Sequence, residues 1–453
     1  MLQKVATTGV DLDSAYTQTL QRIRAQEGDR SRLGMEVLMW VSHAERPLGI
    51  NELRHALAVE MGSTDLDPDN IPPQDTVLGS CLGLAVVDAE TSTVRLIHYT
   101  LQEYLSLPDI LPDAHKTLGQ TCLTYLNYKQ VKELSANPKM IPNFEDMLFL
   151  EYSSLYWGSH AKVELSDRAK LLALELLNQA GNHISATLLV KQKEPHHFCS
   201  LPYHLWPGLH CASYFGIIEV VAALIESRSC NINQTDCMGL TPLMYAARQG
   251  NEEVAQLLLT RDDINPDMPD NNNLTPLWWV SCRGHEGVAG LLLARDDINP
   301  EKPDNDGRTL FSWASGNGNM RVAMLLLARD DINPDKPDND GQTPLSRASY
   351  HEHEGVVKLL LARDDVNPNK VNKFGATPLS WASQGGHEGV VKLLLTRDDI
   401  NPNMPKYLGK TPLWWASYKA HRGVVRLLAH KDVDPNSIYQ TRSRSHLSCA
   451  LGR

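Results

Sequence analysis

Several groups of residues in this chain are of types that could do chemistry. Between Glu194 and Ala212, the residues His196, His197, Cys199, His204, His210 and Cys211 crowd together, a composition suited to a borderline divalent cation. Their spacing matches no zinc pattern, and nowhere in the chain do two cysteines stand as Cys-x-x-Cys, which also argues against a thioredoxin-type site. The pairs His285-Glu286, His353-Glu354 and His387-Glu388 carry the first letters of a metalloprotease helix, but Ala289, Val357 and Val391 occupy the place of the second histidine. These pairs read as helix-start residues. Arg-Asp-Asp at Arg261, Arg295, Arg329, Arg363 and Arg397 sets carboxylates side by side, as acid–base catalysis would need. Its regular recurrence predicts instead a stacked surface ladder, with arginine near a helix C-terminus and aspartate opening a turn. The Asp338-Asn339-Asp340-Gly341 segment has part of a calcium loop, yet Lys336 and Arg347 fall on the first and last ligand positions, so calcium is not supported. Neither Gly-x-Ser-x-Gly nor the phosphate-cradling Gly-x-x-x-x-Gly-Lys-Ser/Thr occurs. The residues therefore give no catalytic, cofactor-binding or metal site, and the expectation is a protein that is not an enzyme.

The elements that would carry such residues are set by an internal repeat. Thr241, Thr275, Thr309, Thr343, Thr377 and Thr411 follow one another at 34-residue intervals, and all but Thr309 begin Thr-Pro-Leu. Threonine is an N-cap, and proline at the next position loses no hydrogen bond because that N–H has no intrahelical partner. Gly250, Gly284, Gly318 and Gly386 are placed to close the first helix in the left-handed conformation. Glu352 and Ala420 replace that glycine, and Leu310 replaces the proline. The apolar run that follows, such as Val390-Val391-Lys392-Leu393-Leu394-Leu395, is too short to stand alone and must be buried between neighbouring units. Segments such as Asn333 to Gly341 are rich in turn residues and read as loops or hairpins between units.

Thr-Pro-Leu-x-x-Ala, Gly-His and Val-Val-x-Leu-Leu-Leu at this period resemble the ankyrin repeat. A degenerate copy, Leu209-His210-Cys211-Ala212 with Gly216, lies in phase and accounts for His210. The resemblance implies about seven units over 206–440, followed by a tail at 441–453. The aromatic column Tyr245, Trp279, Trp313, Trp381 and Trp415, interrupted by Arg347, reads as packing between units. In ankyrin proteins partners are commonly read by the hairpin tips and the end of the first helix. Here those letters are Arg248, Gln249, Cys282, Arg283, Tyr350, His351, Gln384, Tyr418 and Lys419, which differ between copies while their flanks do not. Tyrosine and arginine are common binding hot spots.

Amphipathic patterns over Asp13 to Ala25, Asp29 to His43 and Ile50 to Leu57 predict three helices, and Gly83 to Tyr99 predicts a β-hairpin with its turn at Ala89 to Ser92. Helices followed by a hairpin suggest a winged helix over 1–110. Arg46-Pro47-Leu48, Glu52 to Val59 and Val94 to Tyr104 are similar to the winged-helix segment of fungal NACHT (NOD-like, STAND-type) proteins. The resemblance assigns His98 a contact with nucleotide phosphate in an off state, whereas the residues themselves read His98 as a strand-end residue packed in the hairpin. From 111 to 205 the stripes Leu118/Cys122/Leu123/Leu126, Phe149/Leu150/Ser153/Tyr156/Trp157 and Leu171/Leu172/Leu174/Leu176/Leu177 predict helices broken around Pro138 and Pro142. This resembles the helical linker of the same proteins.

Hydrophobic residues at 42% and charged residues at 21% give a 453-residue chain ample material for cores. No apolar run reaches membrane-spanning length, and Met1-Leu2-Gln3-Lys4 does not open a signal peptide, so no membrane insertion and an intracellular, cytoplasmic or nuclear, location are expected. Most of the eight cysteines read as reduced small hydrophobes or loop residues, and 54 acids against 43 bases (net −11) disfavour direct nucleic-acid binding. The expected fold is mainly α: a winged helix and helical linker followed by an ankyrin-repeat α-solenoid. The expected function is a signalling scaffold or sensor module with a protein partner on the concave ankyrin face. A transcriptional co-regulator acting through a DNA-binding partner, or part of a nucleotide-dependent switch, stay open.

Overall fold

The computed structural model describes residues 9–136, 147–178, 185–186, 188–189, 207–226, 230–406 and 409–429. The chain divides into two compact units, Met1–Met238 and Gly239–Arg453. The clustered His196, His197, Cys199 and His204, with Pro138 and Pro142, lie outside the described residues.

In the first unit, helices α1 (Gly9–Arg24), α2 (Asp29–His43), α3 (Ile50–Leu57) and α4 (Gln74–Ser80) precede antiparallel strands β1 (Ala85–Val87) and β2 (Val94–Leu96), paired in the register Val86 to Arg95. Leu48 O and Ile50 N extend the pair through Val94 N and Ser92 O, which completes the wing. Helix α4 has no apolar periodicity long enough to announce it, and Val77 and Ser80 are its buried residues. Helix α5 (Tyr99–Leu105) corrects the expectation for His98. His98 is not packed in the hairpin: it is exposed and caps α5, its Nδ1 accepting from Thr100 N at 3.2 Å.

Helices α6 (Ala114–Leu126), α7 (Lys129–Ala136), α8 (Leu150–Val163) and α9 (Asp167–Asn178) continue the same core. Trp40 on α2 meets Phe149 and Tyr152 edge-on at 5.4 and 5.7 Å, and Tyr125 on α6 meets Phe149 at 5.3 Å. Each such aromatic pair contributes about 0.5–1.5 kcal/mol beyond burial. Phe149, Tyr152 and Trp157 of the linker are thus core, as their burial preference implied, whereas Tyr156 is half-buried. The third stripe is shifted, because α9 buries Ala169, Ala173, Leu176 and Leu177 while Leu171 is 68% exposed. His160 on α8 is fully buried, and burial, then His115 and His43, push its pKa down to about 3, so the ring is neutral. The degenerate copy, Gly208–Phe215 and Ile218–Glu226, packs on α8 and α9 in this unit. Phe215 lies where a Cβ on Gly158 would stand, and the Leu177 carbonyl lies against Gly208, so both glycines are needed for this close approach.

The second unit is two columns of short helices. First helices Pro242–Gln249, Pro276–Arg283, Leu310–Gly316, Pro344–Tyr350, Pro378–Gly385 and Pro412–Tyr418 stack in order, as do the second helices Glu252–Leu259, Glu286–Leu293, Met320–Leu327, Glu354–Leu361, Glu388–Leu394 and Arg422–Ala429. Thr241, Thr309, Thr343, Thr377 and Thr411 accept the N–H three residues on through their side chains, whereas Thr275 makes no side-chain cap. The apolar run is buried as expected, for example Val390, Val391 and Leu394.

Two ladders join successive repeats within this second unit. Arg261, Arg295, Arg329, Arg363 and Arg397 each grip the second following aspartate with both fork nitrogens, for example Arg295 to Asp297 at 2.8 and 2.7 Å. Arg295, Arg329 and Arg397 also donate to Leu259, Leu293 and Leu361 O of the preceding unit at 3.0, 2.9 and 3.0 Å. The second carboxylate of each Arg-Asp-Asp is thus taken up by its own arginine. In the hairpins, Asp270, Asp304, Asp338 and Asn372 each accept two backbone N–H groups through Oδ1, all at 2.8–2.9 Å. In Asp338 the other oxygen takes Arg347 at 2.5 Å, so the calcium-like letters already have protein partners.

Gly250, Gly284 and Gly386 adopt φ of 70°, 77° and 83°, and Glu352 and Ala420 hold the same left-handed backbone at 64° and 60° with a side chain attached. That conformation costs an L-residue about 1–2 kcal/mol. Ala420→Gly is therefore expected to stabilise the fold by about 1 kcal/mol in urea denaturation, the unfolded-state entropy of glycine offsetting part of the gain. Gly386→Ala should destabilise by at least as much, since its Cβ would also meet the His421 ring at 2.6 Å.

Candidate functional site

The residues expected to read a partner occupy two adjacent positions at the end of each first helix. One position holds Arg248, Cys282, Tyr350, Gln384 and Tyr418, and the next holds Gln249, Arg283, His351 and Lys419. The backbone at the first position is fixed from the following unit. His285 Nε2 bonds Arg248 O at 3.1 Å, His353 bonds Gly316 O at 2.9 Å, His387 bonds Tyr350 O at 3.0 Å and His421 bonds Gln384 O at 3.2 Å. A carbonyl only accepts, so each Nε2 carries the proton. The histidines of the His-Glu pairs thus open second helices and tie them to the unit before. Asn319 replaces the imidazole at one joint, its Nδ2 donating to Ser281 O at 2.6 Å.

The side chains divide into two groups. Gln249, Arg283, Tyr350, His351, Tyr418 and Lys419 are exposed, with Tyr350 at 49% and Tyr418 at 59%. Neither tyrosine swings freely: Tyr350 stands edge-on to Trp381 at 5.1 Å, and Tyr418 stacks on Trp414 at 4.9 Å with 11° between the planes. The other three turn inward. Arg248 is 9% exposed and lays its guanidinium over Trp279 at 4.8 Å. The half-buried Cys282 thiol is pushed up to about 12 by burial, so it is not a nucleophile at neutral pH. Gln384 accepts from Lys406 Nζ at 2.8 Å. These three shape the surface more than they present it.

The aromatic column packs between units as expected, and it does so with cations. Trp278 meets Trp313 at 5.0 Å, and Arg308 lies 5.0 Å over Trp313. Arg347 substitutes for tryptophan because the turn carboxylate below it serves either donor: Asp304 Oδ2 accepts Trp313 Nε1 at 3.0 Å, and Asp338 Oδ2 accepts Arg347.

The sequence reading missed Lys406, which stands in the column of Asp270, Asp304, Asp338 and Asn372. Lysine cannot accept the turn N–H groups, and its backbone instead bridges to Lys410. Its ammonium sits 3.3 Å from the Trp381 ring centroid and 5.3 Å from that of Trp415, and Lys410 Nζ sits 3.9 Å from that of Trp414. The signal was the single break in an otherwise constant Asp/Asn position. Aromatic faces and cations alternating in this way suit polypeptide side chains and carbonyl or carboxylate acceptors.

Residues 209–304, 296–371 and 364–439 match the family model for ankyrin repeats in three copies. Residues 21–113 match the model for the GPI inositol-deacylase winged helix domain. No curated protein matches the chain. Among solved structures, the chain is similar to the human ASB11 ankyrin repeat domain, with 21% identity over 48% of this chain and 96% of that one and a TM-score of 0.42. It is also similar to a structure of the Bd0816 predatory endopeptidase from Bdellovibrio bacteriovorus in complex with immunity protein Bd3460, with 26% identity over 42% and 97% and a TM-score of 0.39.

Burial lowers the Lys406 pKa to about 8, below the ordinary value near 10.4. Between those values the unfolded chain still holds a proton that the folded chain has released, so stability contributed by this site rises with pH across the window. Urea midpoints at pH 7.5 and pH 10 should show this rise in the wild type and a smaller one in Lys406→Met, which keeps the stem and removes the titration.

Proposed function

The chain belongs to the ankyrin-repeat family, and on that premise we propose that it is a non-enzymatic interaction protein whose array binds a protein partner through the ends of its first helices, on the concave face. The observation that carries this reading is the pair Tyr350 and Tyr418. They occupy the same repeat position, are exposed, and rest on Trp381 and Trp414. Large side chains held on a rigid scaffold lose little entropy on binding. Around them stand the exposed donors Arg283, His351 and Lys419, while Arg248, Cys282 and Gln384 complete the floor.

The division into a winged helix at 1–110, a helical linker at 111–205, the array at 206–440 and a tail at 441–453 belongs to the same proposal. So does a role in intracellular signalling of the NOD-like, NACHT-associated kind, which rests on the winged-helix phrase in the sequence. No described helix is long and apolar enough to cross a membrane.

The test takes a partner recovered with the full-length chain and measures its affinity for wild type and for the combined Arg283→Ala, Tyr350→Ala, Tyr418→Ala variant. Loss of a hot-spot cluster should weaken binding by about 30-fold or more, with circular dichroism unchanged. Equal affinity for the two proteins would place the interface elsewhere.

A further inference from the structure

Beyond the array, the first unit brings together an unassigned set of ligand types. Glu45 follows the end of α2, His115 lies in the first turn of α6, and His160 is on α8. One ligand atom from each lies within 4.8 Å of the others. Nδ1 of His115 and Nδ1 of His160 are 2.9 Å apart. Only one of the two can carry a proton, so a single N–H joins two nitrogens that both point into the same space. Donors held by an ion at zinc–nitrogen distances are about 3.3 Å apart in a tetrahedron, so the rings need to part by only about 0.4 Å.

The surroundings hold the rings in the orientation such an ion requires. His160 Nε2 bonds the Tyr152 hydroxyl at 2.9 Å, and that hydroxyl accepts Glu45 N–H at 3.0 Å, so one tyrosine links two of the three residues. A hydrogen bond on the far nitrogen of a ligating imidazole is the usual outer-shell support of a metal site. Helices α6 and α8 approach closely at Gly119, where a Cβ would meet His160 Cβ at 3.3 Å. His43 stands edge-on to His115 at 5.5 Å. Ser42 Oγ donates to Leu38 O, so it accepts from His43 Nδ1–H at 2.8 Å and leaves His43 Nε2 with its lone pair. A cavity of about 460 Å³, lined by Ser42, His43, Glu45, Ser106 and His115 among others, gives access and room for a further ligand.

We propose that Glu45, His115 and His160 bind one divalent first-row transition ion of the zinc or cobalt kind, with an open coordination position facing this cavity. Two imidazoles and a carboxylate suit that class and are a poor match for calcium or magnesium, which prefer oxygen ligands. Binding then needs the shared proton to leave Nδ1 by a tautomer shift, so that each neutral ring keeps its one N–H on Nε2 and offers Nδ1 to the cation, with the Tyr152 hydroxyl accepting from His160 Nε2–H.

The full-length chain, freed of metal by dialysis against chelator, is titrated with Zn²⁺ by calorimetry and with Co²⁺ by visible absorption. The expected result is one equivalent per chain with an intense cobalt ligand-field band. His115→Ala and Glu45→Gln, on half-buried and exposed side chains, should each weaken that equivalent at least tenfold with circular dichroism unchanged. Tyr152→Phe should weaken it by about 10-fold. His196→Ala/His197→Ala/His204→Ala serves as the control and should retain it. Absence of a saturable equivalent in the wild type, or an equivalent that survives both His115→Ala and Glu45→Gln undiminished, overturns the proposal.

Discussion

The array depends on one steric and polar exchange at each joint. The imidazole of His285, His353 or His421 fills the volume that a side chain on Gly250, Gly318 or Gly386 would need, with ring atoms 2.5–2.6 Å from the Cβ position. The same rings at His285, His353 and His421 hydrogen-bond the carbonyls of Arg248, Gly316 and Gln384. A glycine therefore serves twice, once for its left-handed φ and once for the missing Cβ. Where Glu352 takes its place, the His387 ring still reaches Tyr350 O, and its Nδ1 lies 3.3 Å from the Glu352 carboxylate. Because the bonded carbonyls belong to the column proposed to read a partner, the contact that stacks the repeats also sets where Arg248, Tyr350 and Gln384 stand.

Much of the second unit was legible because each feature of it is local and repeated. Threonine caps, Thr-Pro starts, glycine ends and buried Val-Val-x-Leu-Leu runs all lie within one 34-residue phrase, and repetition separates scaffold from variable letters. The Arg-Asp-Asp fork spans two residues and was equally readable. Lys406 was not, since its role depends on rings of two different units closing around it. Arg248 and Gln384 look like surface letters in the sequence, but a tryptophan in the next unit and a lysine in the following hairpin draw them inward.

The first unit was harder to read for the same physical reason. Its three main helices and hairpin follow from amphipathic period and turn residues, but α4 is short, and a histidine directly after a strand-forming run carries the pattern of a strand end while its ring bonds forward to Thr100 N as a helix cap. The face that α9 buries is set by α6 together with the degenerate repeat, with Leu177 against Gly208, so Leu171 faces solvent instead. Glu45, His115 and His160 are distant in sequence and share no motif; only the packing of α2, α6 and α8 around Trp40, Phe149 and Tyr152 brings them together.

The interchangeable joints bear on how such a gene can change. A histidine, a glycine and a carbonyl meet in nearly the same geometry at every second joint, and with Asn319 or Glu352 in place the joints between keep a side-chain donor on a preceding carbonyl, so removing or duplicating one whole 34-residue unit leaves each remaining joint a donor and an acceptor. Copy number is then a coordinate along which the protein can vary without refolding its parts. A gain or loss between them changes the spacing of Tyr350 and Tyr418 while leaving the chemistry of each untouched.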